Sequence, residues 1–125
     1  MSQQKILVAD DEPNIVISLE YLLRREGYVV LVARDGQEAL ETIARDEPDL
    51  VLLDVMMPKK SGFEVCQEVR AQEGGQEIKI IMLTAKGRDT DQAKGLALGA
   101  NAYVTKPFAT KDLIHQIAQL LGHSA

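Results

Sequence analysis

Strand-like and helix-like stretches alternate about five times along these 125 residues, and that alternation predicts an α/β fold. The architecture it calls for is a doubly wound, five-stranded parallel sheet with helices on both faces. Two observations strengthen it. The stretch Asp49-Leu50-Val51-Leu52-Leu53-Asp54 is almost wholly apolar, as a strand buried on both faces must be. The connections are short, and the intervening segments repeat apolar residues at helical spacing.

Lys5 to Ala9 reads as the first strand, ended abruptly by Asp10-Asp11-Glu12. Pro13 suits the first turn of a helix, where its missing N–H costs nothing. Ile15, Leu19, Leu22 and Leu23 predict that helix's apolar face, and Gly27 its stop. Tyr28 to Ala33 reads as the second strand. Asp35, with Glu38 three residues on, predicts a capping box, and Ala39, Leu40, Ile43 and Ala44 the inner face of the second helix. Pro48 precedes the central strand, and Pro58 follows it. Ser61 or Gly62 opens a third helix with Phe63, Cys66 and Val69 inward. Gly74-Gly75 is a loop. Ile78 to Leu83 is the fourth strand, running to Thr84-Ala85. Arg88 to Leu98 predicts the weakest helix, because Gly95 inside it costs about 1 kcal/mol relative to Ala. Gly99 reads as its C-terminal cap. Ala102 to Thr105 is a short fifth strand, and Leu113, Ile117, Leu120 and Leu121 line a last helix ending near Gly122.

The length suits one domain, 1–125, with a core from about 5 to 121. Hydrophobic residues make up 46% and charged residues 26%, which excludes a disordered chain. A net charge of −5 leaves no excess of Lys and Arg to neutralise phosphates, so nucleic-acid binding is not expected. The lone Cys66 cannot form an internal disulfide and reads as core packing. The amino-terminal residues lead straight into a strand, so neither signal peptide nor membrane span is expected, and the cytoplasm is the expected compartment.

Parallel strands end along one edge, where ligands of such sheets bind. The residues at those ends are Asp10, Asp11, Asp54, Thr84 and Lys106. Three carboxylates close together repel and favour protonation, a conflict that a divalent cation removes. Oxygen donors without His or Cys suit Mg²⁺ rather than Zn²⁺. Lys106 adds an ammonium and Thr84 a hydroxyl. Together these groups fit phosphoryl transfer, with Asp54 as nucleophile and the cation and Lys106 neutralising the moving charge.

These pieces resemble the receiver domain of two-component response regulators, over about Lys5 to Leu121. The matching motifs are Asp10-Asp11-Glu12-Pro13, Asp54-Val55-Met56-Met57-Pro58, Gly62, Leu83-Thr84-Ala85, Gly99-Ala100 and Tyr103-Val104-Thr105-Lys106-Pro107-Phe108. The resemblance implies the flavodoxin-like strand order 2-1-3-4-5. It implies that Asp54 accepts the phosphoryl group, that Asp11 ligates Mg²⁺ directly, and that Asp10 acts through water. The Met56 backbone carbonyl would complete the metal site, and Mn²⁺ would substitute for Mg²⁺. Thr84 would be the switch hydroxyl and Tyr103 the switch aromatic, with a cis Lys106–Pro107 bond. The α4-β5-α5 surface would carry the signal. The donor would be a sensor histidine kinase, a phosphotransfer protein or a small acyl phosphate, and the recipient a downstream effector domain or protein. Met56 and Lys86 would flank the water that hydrolyses the phosphoryl group. The chain would be a self-modifying switch rather than a turnover enzyme.

Two other functions share parts of this pattern. Phosphotransferase enzymes of the haloacid dehalogenase type also use Asp and Mg²⁺, but usually place a second Asp where this chain has Met56. Flavin-binding modules need a hydroxyl- and glycine-rich phosphate loop after the first strand. Here that loop is Asp10-Asp11-Glu12, which would repel a phosphate unless a metal is present.

Overall fold

The computed structural model describes residues 3–85 and 89–122, with Asp89 described without its side chain. Its elements run β1 (Lys5–Ala9), α1 (Pro13–Arg25), β2 (Val29–Ala33), α2 (Gly36–Asp46) and β3 (Leu50–Asp54). They continue with α3 (Gly62–Ala71), β4 (Lys79–Ala85), α4 (Asp89–Ala97), β5 (Ala102–Lys106) and α5 (Thr110–Leu120). The five strands form one sheet in the order β2-β1-β3-β4-β5, every pair parallel. The expected α/β sheet and its strand order are both present.

Strand alternation divides the core into two layers. Leu7, Ala9, Val51, Leu53, Ile80 and Met82 face α2, α3 and the end of α4. Ile6, Val8, Leu50, Leu52, Ile81, Leu83 and Val104 face α1 and α5. All five residues of β3 are buried, because it lies between β1 and β4 with helices above and below. That double burial explains the unbroken apolar run in its sequence.

Local chemistry fixes the helix starts. Asp35 caps α2 by accepting from the Glu38 amide at 2.8 Å. The Glu38 carboxylate returns to the Arg34 amide rather than to the cap residue's own, so the expected box is displaced by one residue. Ser61 and Glu64 form a full reciprocal box at α3. The cap at Ser61 contributes about 1 kcal/mol. Gly99 has φ +109, as expected of the turn that ends α4.

Three helix faces differ from expectation. On α1 the buried residues are Val16, Leu19 and Leu23. Ile15 and Leu22 are only partly buried, flanking the stripe. With about 100° per residue, 16, 19 and 23 share a narrower arc than the set containing 15 and 22. On α2, Thr42 is buried and Ala44 exposed. On α3, Val65 joins Cys66 and Val69, while Phe63 is partly buried under the Lys94 ammonium, 4.6 Å from the ring centre. Tyr28 precedes β2 rather than opening it, and β5 extends one residue further, to Lys106. The predicted start of the fourth helix at Arg88 lies outside the described residues.

Two glycines, Gly62 read as a helix start and matching motif and Gly95 as a helix-weakening residue, are held by packing. A Cβ on Gly62 would collide with the Asp54 carbonyl. Helix α3 therefore starts hard against the end of β3, and the Gly62 amide donates to the Val55 carbonyl at 3.0 Å. A Cβ on Gly95 would meet the Met82 side chain at 3.1 Å, so the residue that weakens α4 also lets it lie close to β4. Gly62→Ala is predicted to cost about 1–3 kcal/mol, because backbone must move. Gly95→Ala meets a side chain that can shift and gains helix propensity, so its change should stay within about 1 kcal/mol. Urea denaturation of both variants checks this ordering, and equal losses would contradict it.

Candidate functional site

Strand register assembles the site. Ala9 pairs with Leu53, which sets the following residues, Asp10 and Asp54, side by side on the two central strands. Asp54 pairs with Leu83, so Thr84 lies one step beyond it. Ala85 pairs with Lys106, which brings in the lysine from the edge strand. Residues far apart in sequence thus meet along the carboxyl edge, as the parallel topology requires.

Asp10 is fully buried and Asp54 is 6% exposed. Two carboxylates placed like this cannot both hold charge without compensation. The Lys106 ammonium supplies part of it. Nζ lies 2.8 Å from Asp10 Oδ2, 3.1 Å from Glu12 Oε1 and 3.6 Å from Asp54 Oδ2. The compensation is incomplete at Asp54. Burial, and then the charge of Asp10, push its carboxyl up to about 7, against the pull of Lys106 and the Met56 amide. Burial works against charge on Lys106 too, but the hydrogen bond to Asp10 and the charges of Asp54 and Asp10 hold its pKa above the ordinary value. The Asp54 carboxylate accepts from the Met56 amide at 3.3 Å. Asp10 Oδ1 accepts from the Glu12 amide at 2.9 Å.

Oxygens of Asp10, Glu12 and Asp54 all lie within 4.8 Å of one another. Glu12 is the member that the sequence reading did not assign. Asp11 is exposed and lies outside that group, while Glu12, also exposed, reaches Lys106. The signal was available, since three consecutive acids follow β1, but their alternation across the strand end is settled only by the turn into α1. Asp11 still lies near enough to raise the Asp54 pKa through its charge, as the weakest contributor.

Thr84 is 1% exposed, and its Oγ1 has no hydrogen-bond partner among the described residues. A buried hydroxyl in that condition costs free energy unless a ligand group completes it. Beside it the carboxylates form an all-oxygen donor set of the kind a hard divalent cation takes. Both observations fit a site that receives a divalent cation and an anionic, oxygen-rich group. Met56 is 64% exposed at the mouth and Tyr103 is 39% exposed on β5. Lys86 lies outside the described residues. The Lys106–Pro107 bond is cis.

A cavity of about 670 Å³ opens elsewhere, at the amino ends of the strands, among Gln4, Ile43, Asp49, Gly75, Lys79 and Leu120. None of the residues predicted to carry the chemistry lines it.

Comparison with known proteins agrees with this geometry. The response regulator receiver domain profile matches residues 6–118. A candidate response regulator of Chloroflexus aurantiacus superposes with a TM-score of 0.93 at 34% identity, covering 98% of this chain and 100% of its own. The receiver domain of the sensor histidine kinase PA1611 of Pseudomonas aeruginosa, solved with magnesium coordinated in its active site cleft, gives 0.89 at 34%, covering 97% and 99%. The chemotaxis response regulator CheY4 of Vibrio cholerae gives 0.89 at 32%, covering 95% and 99%. Profile, fold and site edge agree over nearly the whole length, and the chain belongs to the response regulator receiver domain family of two-component systems.

Proposed function

We propose that this receiver domain takes a phosphoryl group onto Asp54 and switches its α4-β5-α5 surface in response. The observation that carries the reading is the meeting of Asp54 with Asp10, Lys106 and the unpartnered Thr84 hydroxyl at one sheet edge. An Asp54 oxygen attacks phosphorus as the P–N bond of a donor phosphohistidine, or the P–O bond of a small acyl phosphate, breaks. Lys106 faces the oxygens that gain charge, and the Thr84 hydroxyl donates to one of them. Asp10, Asp11, Asp54 and the Met56 carbonyl would hold Mg²⁺, or Mn²⁺ in its place, with Glu12 a further carboxylate at the mouth. Mg²⁺ when bound supplies the charge that lets neighbouring carboxylates stay ionised together.

The same reading assigns the downstream step. Thr84, drawn to the phosphoryl oxygens, vacates space between β4 and α4, and the half-exposed Tyr103 ring turns toward it. The chain is then a self-modifying switch of one domain, 1–125, in the cytoplasm. It receives from a sensor histidine kinase or phosphotransfer protein and signals to an effector, without binding nucleic acid or membrane itself. Among the described residues no helix is long and apolar enough to cross a membrane. Family membership lends no support to the phosphotransferase-enzyme or flavin-module alternatives.

Incubation with acetyl phosphate and Mg²⁺, read by intact mass, tests the modification. A gain of one phosphoryl group is expected, lost in Asp54→Asn and on chelation. A gain that survives either change would overturn the assignment.

The raised Asp54 pKa predicts a pH dependence. The folded state binds the Asp54 proton more tightly than the unfolded chain, so stability falls as pH rises from about 4 to about 7 in metal-free buffer. Asp54→Asn removes that dependence. At pH 8 without divalent ions it should be more stable than wild type by on the order of 1–2 kcal/mol, after allowance for solvent screening. The difference should vanish near pH 4, and thermal melts across that range measure it.

Phosphoryl lifetime gives a further prediction. Hydrolysis needs water in line with the Asp54–phosphoryl bond. Met56 shares its backbone with the Asp54 carboxylate's hydrogen bond and stands exposed over the mouth. Its thioether is a weak acceptor and no donor, so it positions water poorly. Met56→Asn should shorten the half-life, by about tenfold if the barrier falls by about 1.4 kcal/mol. An unchanged half-life in a folded, phosphorylatable variant would show that water access at residue 56 does not set the lifetime.

A further inference from the structure

Methionine exposure is uneven in this fold. Met82 is fully buried between the sheet and α4, and Met57 is 9% exposed under α2 and α3. Met56 is 64% exposed, and its own amide is bonded to the Asp54 carboxylate. Methionine oxidation follows access to the sulfur, so a diffusible oxidant reaches Met56 far more readily than the other two.

We propose that Met56 is a reversible oxidation site whose sulfoxide shortens the life of a phosphoryl group on Asp54. The proposal rests on Asp54 being the phosphoryl acceptor. The oxidant is a peroxide. A sulfur lone pair of Met56 attacks one peroxide oxygen, an S–O bond forms, and the O–O bond breaks. Sulfur is oxidised by two electrons, the transferred oxygen gives up its proton, and the departing hydroxide takes up a proton in its place and leaves as water. No acid or base of the protein is needed, so an exposed thioether suffices.

The product changes the mouth of the site in a definite way. A weakly accepting, apolar side chain becomes one with a strongly accepting oxygen at similar size. That oxygen is carried by the same residue from which an Asn side chain is predicted to hold the hydrolytic water, one bond further from the backbone. It is anchored two residues from Asp54 on backbone that the Met56 amide ties to the carboxylate. Met57 and Met82 are buried members of the core cluster on the α2–α3 side of the sheet.

The test uses the whole chain treated with dilute hydrogen peroxide, mapped by peptide mass and then phosphorylated with acetyl phosphate and Mg²⁺. Met56 sulfoxide is expected to accumulate well before sulfoxide at Met57 or Met82. Oxidation at Met1 maps to a separate peptide. The phosphoryl half-life of the oxidised protein should fall several-fold and recover after treatment with methionine sulfoxide reductases. Met56→Leu, whatever its starting half-life, should show no change after peroxide, and Met56→Gln should decay fast without it. Oxidation of Met56 no faster than of Met57 and Met82 overturns the proposal. So does an unchanged half-life with Met56 fully oxidised, or an equal peroxide response in Met56→Leu. Absence of any phosphoryl mass gain in untreated wild type overturns the Asp54 reading and the lifetime half of this proposal together, while the oxidation map is judged separately.

Discussion

Two buried carboxylates stand side by side at the end of the sheet, and one lysine from the far edge strand answers them. Everything at the carboxyl edge is arranged around that unequal balance of charge. Asp10 and Asp54 come from the two central strands, where burial is deepest. Lys106 arrives from β5 and reaches across β4 to meet them. Among the described residues one ammonium faces Asp10, Glu12 and Asp54, so on that reckoning these carboxylates are short of positive charge. Such a shortfall makes an apo site unstable and a cation-loaded one stable, and it ties the ionisation of Asp54 to whatever else is bound.

The sheet was legible because its signals are redundant. The unbroken apolar run of β3 can belong only to a strand covered on both faces, and repeated short connections leave little freedom in topology. Strand ends then follow from where polar residues begin, so Asp10, Asp54, Thr84 and Lys106 could be placed on one edge without coordinates. Less legible were features decided by rotation about a helix or by length of a side chain. Val16 displaced Leu22 in the buried stripe of α1 because a small shift in helix phase changes which face packs. Glu12 entered the carboxylate cluster because its extra methylene turns it back toward Lys106. Helix phase is not encoded in the residue type, and the reach of Glu12 matters only once the turn into α1 is placed. The role of Gly62 was also hidden, since a collision that would arise only with a Cβ leaves no trace in the sequence.

Arg70 shows what pattern reading misses altogether. Its position on α3 looks like an ordinary exposed basic residue in a last turn. In the fold its guanidinium donates to the Gly99, Gly75 and Ile78 carbonyls and to Asn101 Oδ1. Asn101 Oδ1 also accepts from the Ile80 amide, and the Asn101 amide donates to the Ile80 carbonyl. The planar guanidinium thus ties the end of α3 to the entry of β4 and to the turn before β5. Such a fork satisfies loop carbonyls that no helix or sheet could reach. It anchors the amino-terminal end of β5 while leaving the other end, which carries Lys106, answerable to the charge at the site.

On the proposed function, those contacts would give a change at Asp54 a preferred direction. The lower ends of β4 and β5 are pinned by Arg70 and Asn101, so strain introduced at Thr84 cannot be relieved by sliding the strands. It must be taken up at the upper end and by α4. Helix α4 is the element most able to yield. Gly95 lowers its intrinsic stability, and at Gly95 its packing on β4 runs through the flexible Met82 side chain; further contacts hold it in place. They include a cation–π contact of Lys94 with Phe63 and a single bond from Gln92 to the Thr105 hydroxyl at 3.3 Å. Contacts of this kind contribute about 1 kcal/mol or less each, comparable to one lost hydrogen bond at the site. A rearrangement driven by the proposed phosphoryl group on Asp54 would therefore meet its least resistance in α4 and at Tyr103, and its greatest in β1 and β3, whose apolar residues are fully buried.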